Sequence, residues 1–382
     1  MSTPPDQPGP TAPTGDPAVP LLTDGVVTLR GHRADDVQRV WEQCQGPDSV
    51  RWTGVPSPYS HADAADFVAS TPRSWEQDTE WSFAIEYAGR FAGTISLRNE
   101  TAPGEPATAE IAYGAHPDVR GAGVMERAAR LILGWGFRER RLERVVWWAH
   151  RGNWASRRLA WKVGFSFDGT VRRYLAHRGE LVDGWVGTLL RGEAHSARSR
   201  WLEPALVAGD GLVLRPFRAD DVDRLVEGSA DPVTQHWLGF LPRDPGPEYG
   251  WSYLETAAEE YAVASALRWA VSATVASPLL GTVGLFRIRE CRDGEIGYWL
   301  HPDARGRGLA RRAAALGVGH AFETLGFDRV TGYATATNLA SRRVLESLGM
   351  RLIGLERGAA RTGDGEVEDL AGYDLLATEW AG

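Results

Sequence analysis

Apolar and polar residues alternate with period two over 81–87 and again over 91–97, on either side of Ala88-Gly89. That pattern predicts two strands joined by a tight turn. Segments 26–29, 108–115, 144–150, 171–175 and 184–190 also read as strands. Helical spacing fills the gaps between them. One helix starts at Asp35-Asp36, whose carboxylates suit a helix N-terminus, and runs to about Gln43. Others cover 62–75, 126–138 and 154–163, the last closed by Gly164. The second half repeats the order. Strands fall at 212–214, 267–273, 280–286, 295–300, 329–334 and 370–376, with helices from Asp220 and over 252–263, 310–324 and 340–348. Strands and helices mixed in this way predict an α/β fold on a mixed sheet with mainly antiparallel pairing.

The repetition is literal in places. His116-Pro117-Asp118-Val119-Arg120-Gly121 and His301-Pro302-Asp303-Ala304-Arg305-Gly306 lie 185 positions apart. The same offset relates Leu29-Arg30 to Leu214-Arg215, Asp35-Asp36 to Asp220-Asp221, Trp52 to Trp237, and Asn153 with Ser156 to Asn338 with Ser341. A period this long makes each copy a whole domain rather than a solenoid repeat. The expected boundaries are a Pro-rich disordered tail over 1–20, a first domain over 21–191, a polar linker over 192–199 and a second domain over 200–382.

Each His-Pro-Asp run sits between a strand and a helix. Gly306 and Gly308 permit positive φ and close backbone approach. Free N–H groups at the following helix start favour an anion, and Arg305 and Arg307 add forked positive charge. The run reads as a phosphate cradle. It lacks the Gly-Lys-Ser/Thr ending of a Walker A loop, and Arg311 stands where a dinucleotide fingerprint needs its third glycine.

Composition narrows the classes. A chain of 382 residues suits two ordinary domains. Net charge of −8 argues against nucleic acid as the main partner. The two cysteines, Cys44 and Cys291, fall at unrelated places in the copies. They imply a reducing, cytoplasmic setting with no disulfide framework and no cysteine metal site. No apolar run reaches about 18 residues, so no membrane span is expected. Neither a metal nor a membrane partner is expected.

Taken together, the opening Leu-Arg-x-x-x-x-Asp-Asp, the Glu-Ile-Gly-Tyr-x-Leu-x-Pro strand, the Arg-x-x-Gly-x-Ala cradle and the Asn-x-x-Ser helix ending at Gly349-Met350 resemble GNAT-superfamily acyltransferases. The likeness is to the RimJ/RimL branch, twice over, from residue 22 onward. It implies two tandem GNAT folds that use acetyl-CoA to acetylate an amine of a small molecule or a protein N-terminus. The pyrophosphate is then expected on the backbone of Arg305, Gly306, Arg307, Gly308, Leu309 and Ala310. Asn338 and the backbone of Trp299 and Leu300 are expected along the pantetheine arm, between splayed strands at 295–300 and 329–334. The first copy offers Arg120, Gly121, Ala122, Gly123, Val124, Met125 and Asn153. There Met125 replaces the family's small residue and Ala122 replaces Arg307, so the second copy is expected to be the better cofactor site.

Acetyl transfer to an amine needs a base, a polarised carbonyl and a proton for the departing thiolate. Glu295, with Glu110 as its counterpart, is either the base or a solvent-facing strand residue. Backbone N–H groups near Trp299 and Leu300 can polarise the carbonyl. The family's usual helix tyrosine is absent, with Leu345 and Ala160 in its place. Ser341 and Ser156 match the serine thought to serve RimL-like members, or else are helix-capping serines. Tyr298 reads as sheet packing. Trp52 and Trp237 either wall the acceptor pocket or pack in the core. The turn-rich 243–248 reads as a lid, and acidic residues over 363–369 suit a cationic amine. Two other readings stay open: a non-catalytic acyl-CoA-binding or scaffolding protein, and an aminoacyl or other acyl transferase. The short linker and the duplication imply an intramolecular pseudo-dimer of the domains and allow a homo-oligomer.

Overall fold

The computed structural model describes residues 19–290 and 292–382. The tail expected over 1–20 falls almost wholly outside them, as does Cys291. Contacts divide the chain between Arg198 and Ser199 into two units.

The first unit opens with β1 (Leu22–Thr23) and β2 (Val27–Arg30). Helices α1 (Val37–Gln45), α2 (Pro47–Trp52) and α3 (His61–Glu76) follow. Strands β3 (Glu80–Tyr87), β4 (Arg90–Asn99) and β5 (Thr108–Ala115) lead into α4 (Val124–Glu139). Then come β6 (Arg144–His150), α5 (Trp154–Lys162), β7 (Ser166–His177) and β8 (Glu180–Leu190). The sheet order is β1-β2-β3-β4-β5-β6-β8-β7, and only β5–β6 is parallel. Strand alternation feeds both faces. Phe83 and Ile85 join the large core that takes Ala128, Ile132 and Leu133 from α4. Ala84, between them, packs with Val40 of α1 and Ala64 and Val68 of α3. Full burial of one such large side chain is worth about 1.5–3 kcal/mol, so the faces hold the helices firmly.

The second unit repeats this frame. It comprises β9 (Val207–Gly209), β10 (Leu212–Arg215), α6 (Val222–Ala230), α7 (Pro232–Trp237), α8 (Pro247–Ala262), β11 (Leu267–Ser272), β12 (Gly281–Arg289) and β13 (Asp293–Leu300). It continues with α9 (Leu309–Gly319), β14 (Arg329–Thr335), α10 (Leu339–Ser347), β15 (Arg351–Arg361) and β16 (Val367–Leu376). The order β15-β16-β14-β13-β12-β11-β10-β9 matches the first sheet, with β13–β14 the parallel pair.

The recurring Leu-Arg and Asp-Asp blocks form one device. Arg215 Nη1 and Nη2 each donate at 2.7 Å to the two oxygens of Asp221, with both side chains 1% exposed. Arg30 and Asp36 do the same at 2.7 and 2.8 Å. The motif therefore fixes the β-to-helix corner and carries no chemistry.

Four expectations need correction. The short helices α2 and α7 were not foreseen, although Pro47 and Pro232 stand at their first turns as helix starts allow. Pro247 opens α8 in the same way, so the loop read as a lid over 243–248 ends in helix. Strand β15 adds a full partner to β16. The expected linker is, up to Arg198, packed on the first unit. A Cβ on Gly164, at φ +98°, would stand 2.3 Å from Ala194 O, and Arg198 reaches Ser166 Oγ at 2.8 Å.

Candidate active site

The parallel strands part company within each sheet. In the second unit, registered pairs run from Asp293–Arg329 to Ile296–Gly332 and stop. Residues 297–300 of β13 keep their antiparallel partner β12 but lose β14. In the first unit the last pair is Ile111–Trp147, leaving 112–115 of β5 open. Each split leaves unpaired backbone donors facing a gap. Alternation decides which ones. His301 N–H donates to Leu280 O, so the amides of Leu300 and Tyr298 face the gap and that of Trp299 turns to β12. The Leu300 amide is thus open toward the gap, whereas the expected Trp299 amide is turned to β12. The Trp299 side chain packs with Leu225, Ala270 and Leu279 beneath α6 and α8.

At the end of each open strand lies the glycine cradle. Gly306 (φ +74°) and Gly308 (φ +69°) are left-handed, as are Gly121 (φ +78°) and Gly123 (φ +75°). Positive φ, rather than crowding, calls for glycine, because a Cβ at any of the four would meet nothing within 4 Å. The chain turns here so that Leu309 starts α9 and Val124 starts α4. The amides of Gly306, Arg307, Gly308, Leu309, Ala310 and Arg311 have no acceptor among the described residues. In the first unit the amide of Ala122 is engaged by Val119 O at 3.2 Å. Met125 lies half-buried against the first core, which relieves the crowding its length implied. Open amides at a helix start, beside a split that admits an extended arm, fit the diphosphate and pantetheine of a coenzyme A thioester.

The cradle arginines do something else. Arg305 Nη2 donates to Asp231 Oδ2 and Thr234 Oγ1, both at 2.6 Å, and its Nε donates to Leu300 O at 3.2 Å. Arg120 Nη1 donates to Asp48 Oδ2 at 2.7 Å. Both side chains tie the cradle to the start of α7 or α2. His301 and His116 also brace it, between Asp303 and Glu227 and between Asp118 and Glu42 respectively. Among the described residues no cluster could hold a metal ion.

Across the gap, Ser341 sits in the first turn of α10. Its N–H donates to the capping Asn338 Oδ1 at 3.0 Å, and Asn153 caps Ser156 likewise at 3.1 Å. Each asparagine oxygen is thus used by the helix start. Ser341 Oγ shares a 3.1 Å hydrogen bond with Tyr298 OH. Ser156 and Tyr113 share one of 2.8 Å, and Trp147 Nε1 donates to both oxygens at 3.0 Å. Burial pushes both phenols up to about 12, so they are neutral donors near pH 7. The reading of Tyr298 as mere packing missed this pair. A tyrosine on an opened strand and a helix-start serine 43 residues later was its only signal.

Glu295 and Glu110 lie on the opposite face from these tyrosines. Burial raises both carboxyls above the usual range, against the pull of Arg287 and Arg98 respectively. Glu295 Oε2 is sealed from solvent with Arg287 Nη1 at 3.3 Å and no aligned hydrogen bond among the described residues. Trp52 and Trp237 belong to neither core. Trp52 is half-buried under the Arg51 guanidinium at 4.4 Å and edge-on to His150, while Trp237 meets His236 at 4.4 Å.

A model of the acetyltransferase (GNAT) domain matches residues 27–166 and again 211–351. The chain belongs to the GNAT acetyltransferase family. YdaF of Bacillus subtilis (strain 168), provisionally named a ribosomal N-acetyltransferase, is 37% identical over 108 residues, 27% of this chain and 57% of that one. The chain thus spans little more than half of that relative. YoaA of the same organism, an uncharacterized N-acetyltransferase, is 28% identical over 39% of this chain and 84% of its own length. The solved RimJ of Mycobacterium smegmatis in complex with CoA-disulfide is 22% identical, with TM-score 0.41 over 45% of this chain and 85% of that one. Both GNAT copies hold the split and the cradle described above. Among the described residues no helix is long and apolar enough to cross a membrane.

Proposed function

We propose that the chain is an acetyl-CoA-dependent N-acetyltransferase, with the second unit the stronger cofactor site. One observation carries this: a parallel pair that stops short and opens onto a cradle of acceptor-free amides, present in both units. Acetyl-CoA supplies the acetyl group as an activated thioester. The amides from Gly306 to Ala310 hold its phosphates, and Asn338 and Leu300 line its arm. Glu295 removes a proton from the acceptor ammonium, helped by a carboxyl already raised by burial. The Leu300 amide donates to the carbonyl oxygen as charge develops there. Ser341, relayed by the neutral Tyr298, delivers a proton to the departing sulfur. In the first unit Arg120, Gly121, Gly123, Val124, Met125, Asn153, Glu110 and Ser156 take the matching places.

The ranking of the units rests on the cradle. The second offers one more open amide and adds Arg307 where the first has Ala122. The acceptor is an amine. In the second unit Asp364 and Glu366 lie in the turn between β15 and β16, Glu368 and Asp369 open β16, and the turn meets α7 through Gly363 N–H to His236 O at 2.7 Å and Asp364 to the His236 ring. That rim suits a cation. The ribosomal name of YdaF puts protein amines, N-termini among them, first in any panel, with small amines beside them.

Titrating acetyl-CoA while following thermal unfolding tests the reading, because a ligand of the native state raises the midpoint by mass action. Release of free thiol with an amine panel then separates a transferase from a binding scaffold. No stabilisation at millimolar acetyl-CoA would overturn the assignment. Stabilisation without thiol release from any amine would make the chain a binder only.

A further inference from the structure

Gln43 is a buried amide that the fold does not use. It sits in the last turn of α1, is 9% exposed, and its Oε1 is sealed from solvent with no hydrogen-bond partner among the described residues. Buried polar groups in native proteins are nearly always bonded, so an orphan in a cleft asks for a ligand. Its position says which cleft. Gln43 Nε2 stands 2.7 Å from where a Cβ would lie on Gly114. Gly114 belongs to the opened end of β5, beyond the last parallel pair. On that strand Glu110, Ala112 and Gly114 share one face. The orphan amide and the candidate base therefore overlook the same short floor, with only the methyl of Ala112 between them.

The second unit shows that the scaffold needs no amide there. Gly228 replaces Gln43 and Trp299 replaces Gly114, and the indole comes within 2.4 Å of a Cβ built on Gly228. Hydrocarbon fills the space in one copy. In the other the chain keeps an unsatisfied carbonyl oxygen.

We infer that Gln43 binds the acceptor in the first unit, its terminal amide turning over so that the oxygen takes the place of Nε2 beside Gly114 and accepts an N–H from a group beside the reacting amine. The inference rests on the acetyl-transfer reading above. The face decides between acceptor and cofactor. Gln43 comes from α1, with Glu110, whereas the cradle is the start of α4, whose core residues pack on the opposite face. A peptide N-terminus, whose ammonium is followed by an amide N–H, has the required chemistry.

The test uses the full chain with Ser341→Ala, so that turnover reports the first unit. Gln43→Leu is nearly isosteric and removes the orphan. Its ligand-free midpoint should hold or rise by about 2–4 °C, while KM for a short peptide amide rises about tenfold. Acetyl-CoA affinity by calorimetry should stay within about twofold. The same peptide N-methylated at its second residue should lose about as much in the Gln43 protein and nothing further in Gln43→Leu. A lower midpoint with unchanged KM would make Gln43 structural. Weaker acetyl-CoA binding with unchanged KM would move the amide to the cofactor. Absence of thiol release by the Ser341→Ala chain with every peptide would also overturn the inference. Failure of the wild type to bind acetyl-CoA would instead sink the reading beneath it.

Discussion

Arg305→Met separates two roles for the cradle arginine. A phosphate ligand would lose affinity without loosening the fold. The structure instead makes Arg305 a tether, with two 2.6 Å bonds to Asp231 and Thr234 and one of 3.2 Å to Leu300 O. The Arg305 and Asp231 side chains are 32% and 15% exposed, between the surface and the deep interior. Surface pairs are worth about 0–1 kcal/mol, and breaking a fully buried pair costs about 3–5. Asp231 keeps the Thr234 amide at 2.8 Å, so it is not left bare. The loss should be about 2 kcal/mol, local to α7, and about 30-fold in an opening equilibrium. Hydrogen exchange read by mass spectrometry should show 232–237 exchanging that much faster near pH 7. The matching helix of the first unit, 47–52, should not change. The pH dependence has a definite sign. Burial raises Asp231, but the Thr234 amide and Arg305 outweigh it and hold the carboxyl below its usual range. Stability from a depressed carboxyl is present above the unfolded value near 3.9 and lost as pH falls through the folded one. The gap between wild type and variant should therefore narrow below about pH 4. Unchanged exchange in α7 together with tenfold weaker acetyl-CoA binding would refute the tether and return Arg305 to the phosphate.

Other outcomes follow from the same geometry. Ser341→Ala and Tyr298→Phe should each lower turnover of the second unit about 10²-fold or more at nearly constant acetyl-CoA affinity, since proton delivery counts only as the transition state forms; single-turnover rates check this. Glu295→Gln should abolish the acid limb of the rate profile, yet stabilise the protein. A carboxyl raised by burial costs stability as pH rises from its unfolded to its folded value, so the gain in thermal midpoint should appear above that window. Gly308→Ala meets no clash but must hold φ at +69°, which costs about 1–2 kcal/mol and should misplace the cradle amides, seen as loss of acetyl-CoA stabilisation.

The frame was legible because its signals are local. Period-two alternation found β3 and β4, and the limits of β5 and β6 fall where the pattern put them. The 185-residue offset exposed the duplication before any geometry was known. Features set by pairing across distance were not legible. The six-residue helices α2 and α7 bury little and follow proline rather than periodicity. The hydroxyl pair joins β13 to α10, and nothing in either segment alone spells it. Arg305 looked like a phosphate ligand because its sequence neighbours are the cradle. Its actual partners, Asp231 and Thr234, lie more than 70 positions away. Gln43 left no trace at all, since a glutamine in a helix is ordinary until its surroundings are known.

The copies diverged unevenly, and the chemistry of each end explains how. The cradle proposed for the cofactor offers backbone amides, which need two residues at positive φ and little else. Side chains around it could drift, and Ala122 against Arg307 and Met125 against Ala310 are such drift. The proposed acceptor end would bind through side chains, so change there would alter what is recognised. Changes at the split come as compensated pairs. Trp147 with Ala160 in the first unit answers Gly332 with Leu345 in the second, where a Cβ on Gly332 would lie 2.7 Å from Leu345 Cδ2. Gln43 with Gly114 answers Gly228 with Trp299. Large and small residues trade places across the same space, as packed interiors require. Each exchange keeps a large side chain facing a small residue across the contact. Trp147 Nε1 loads Ser156 and Tyr113 with a second donor, for which Ser341 and Tyr298 have no counterpart among the described residues. On the function proposed above, two units built on one frame keep one cofactor geometry and offer their acceptors different walls.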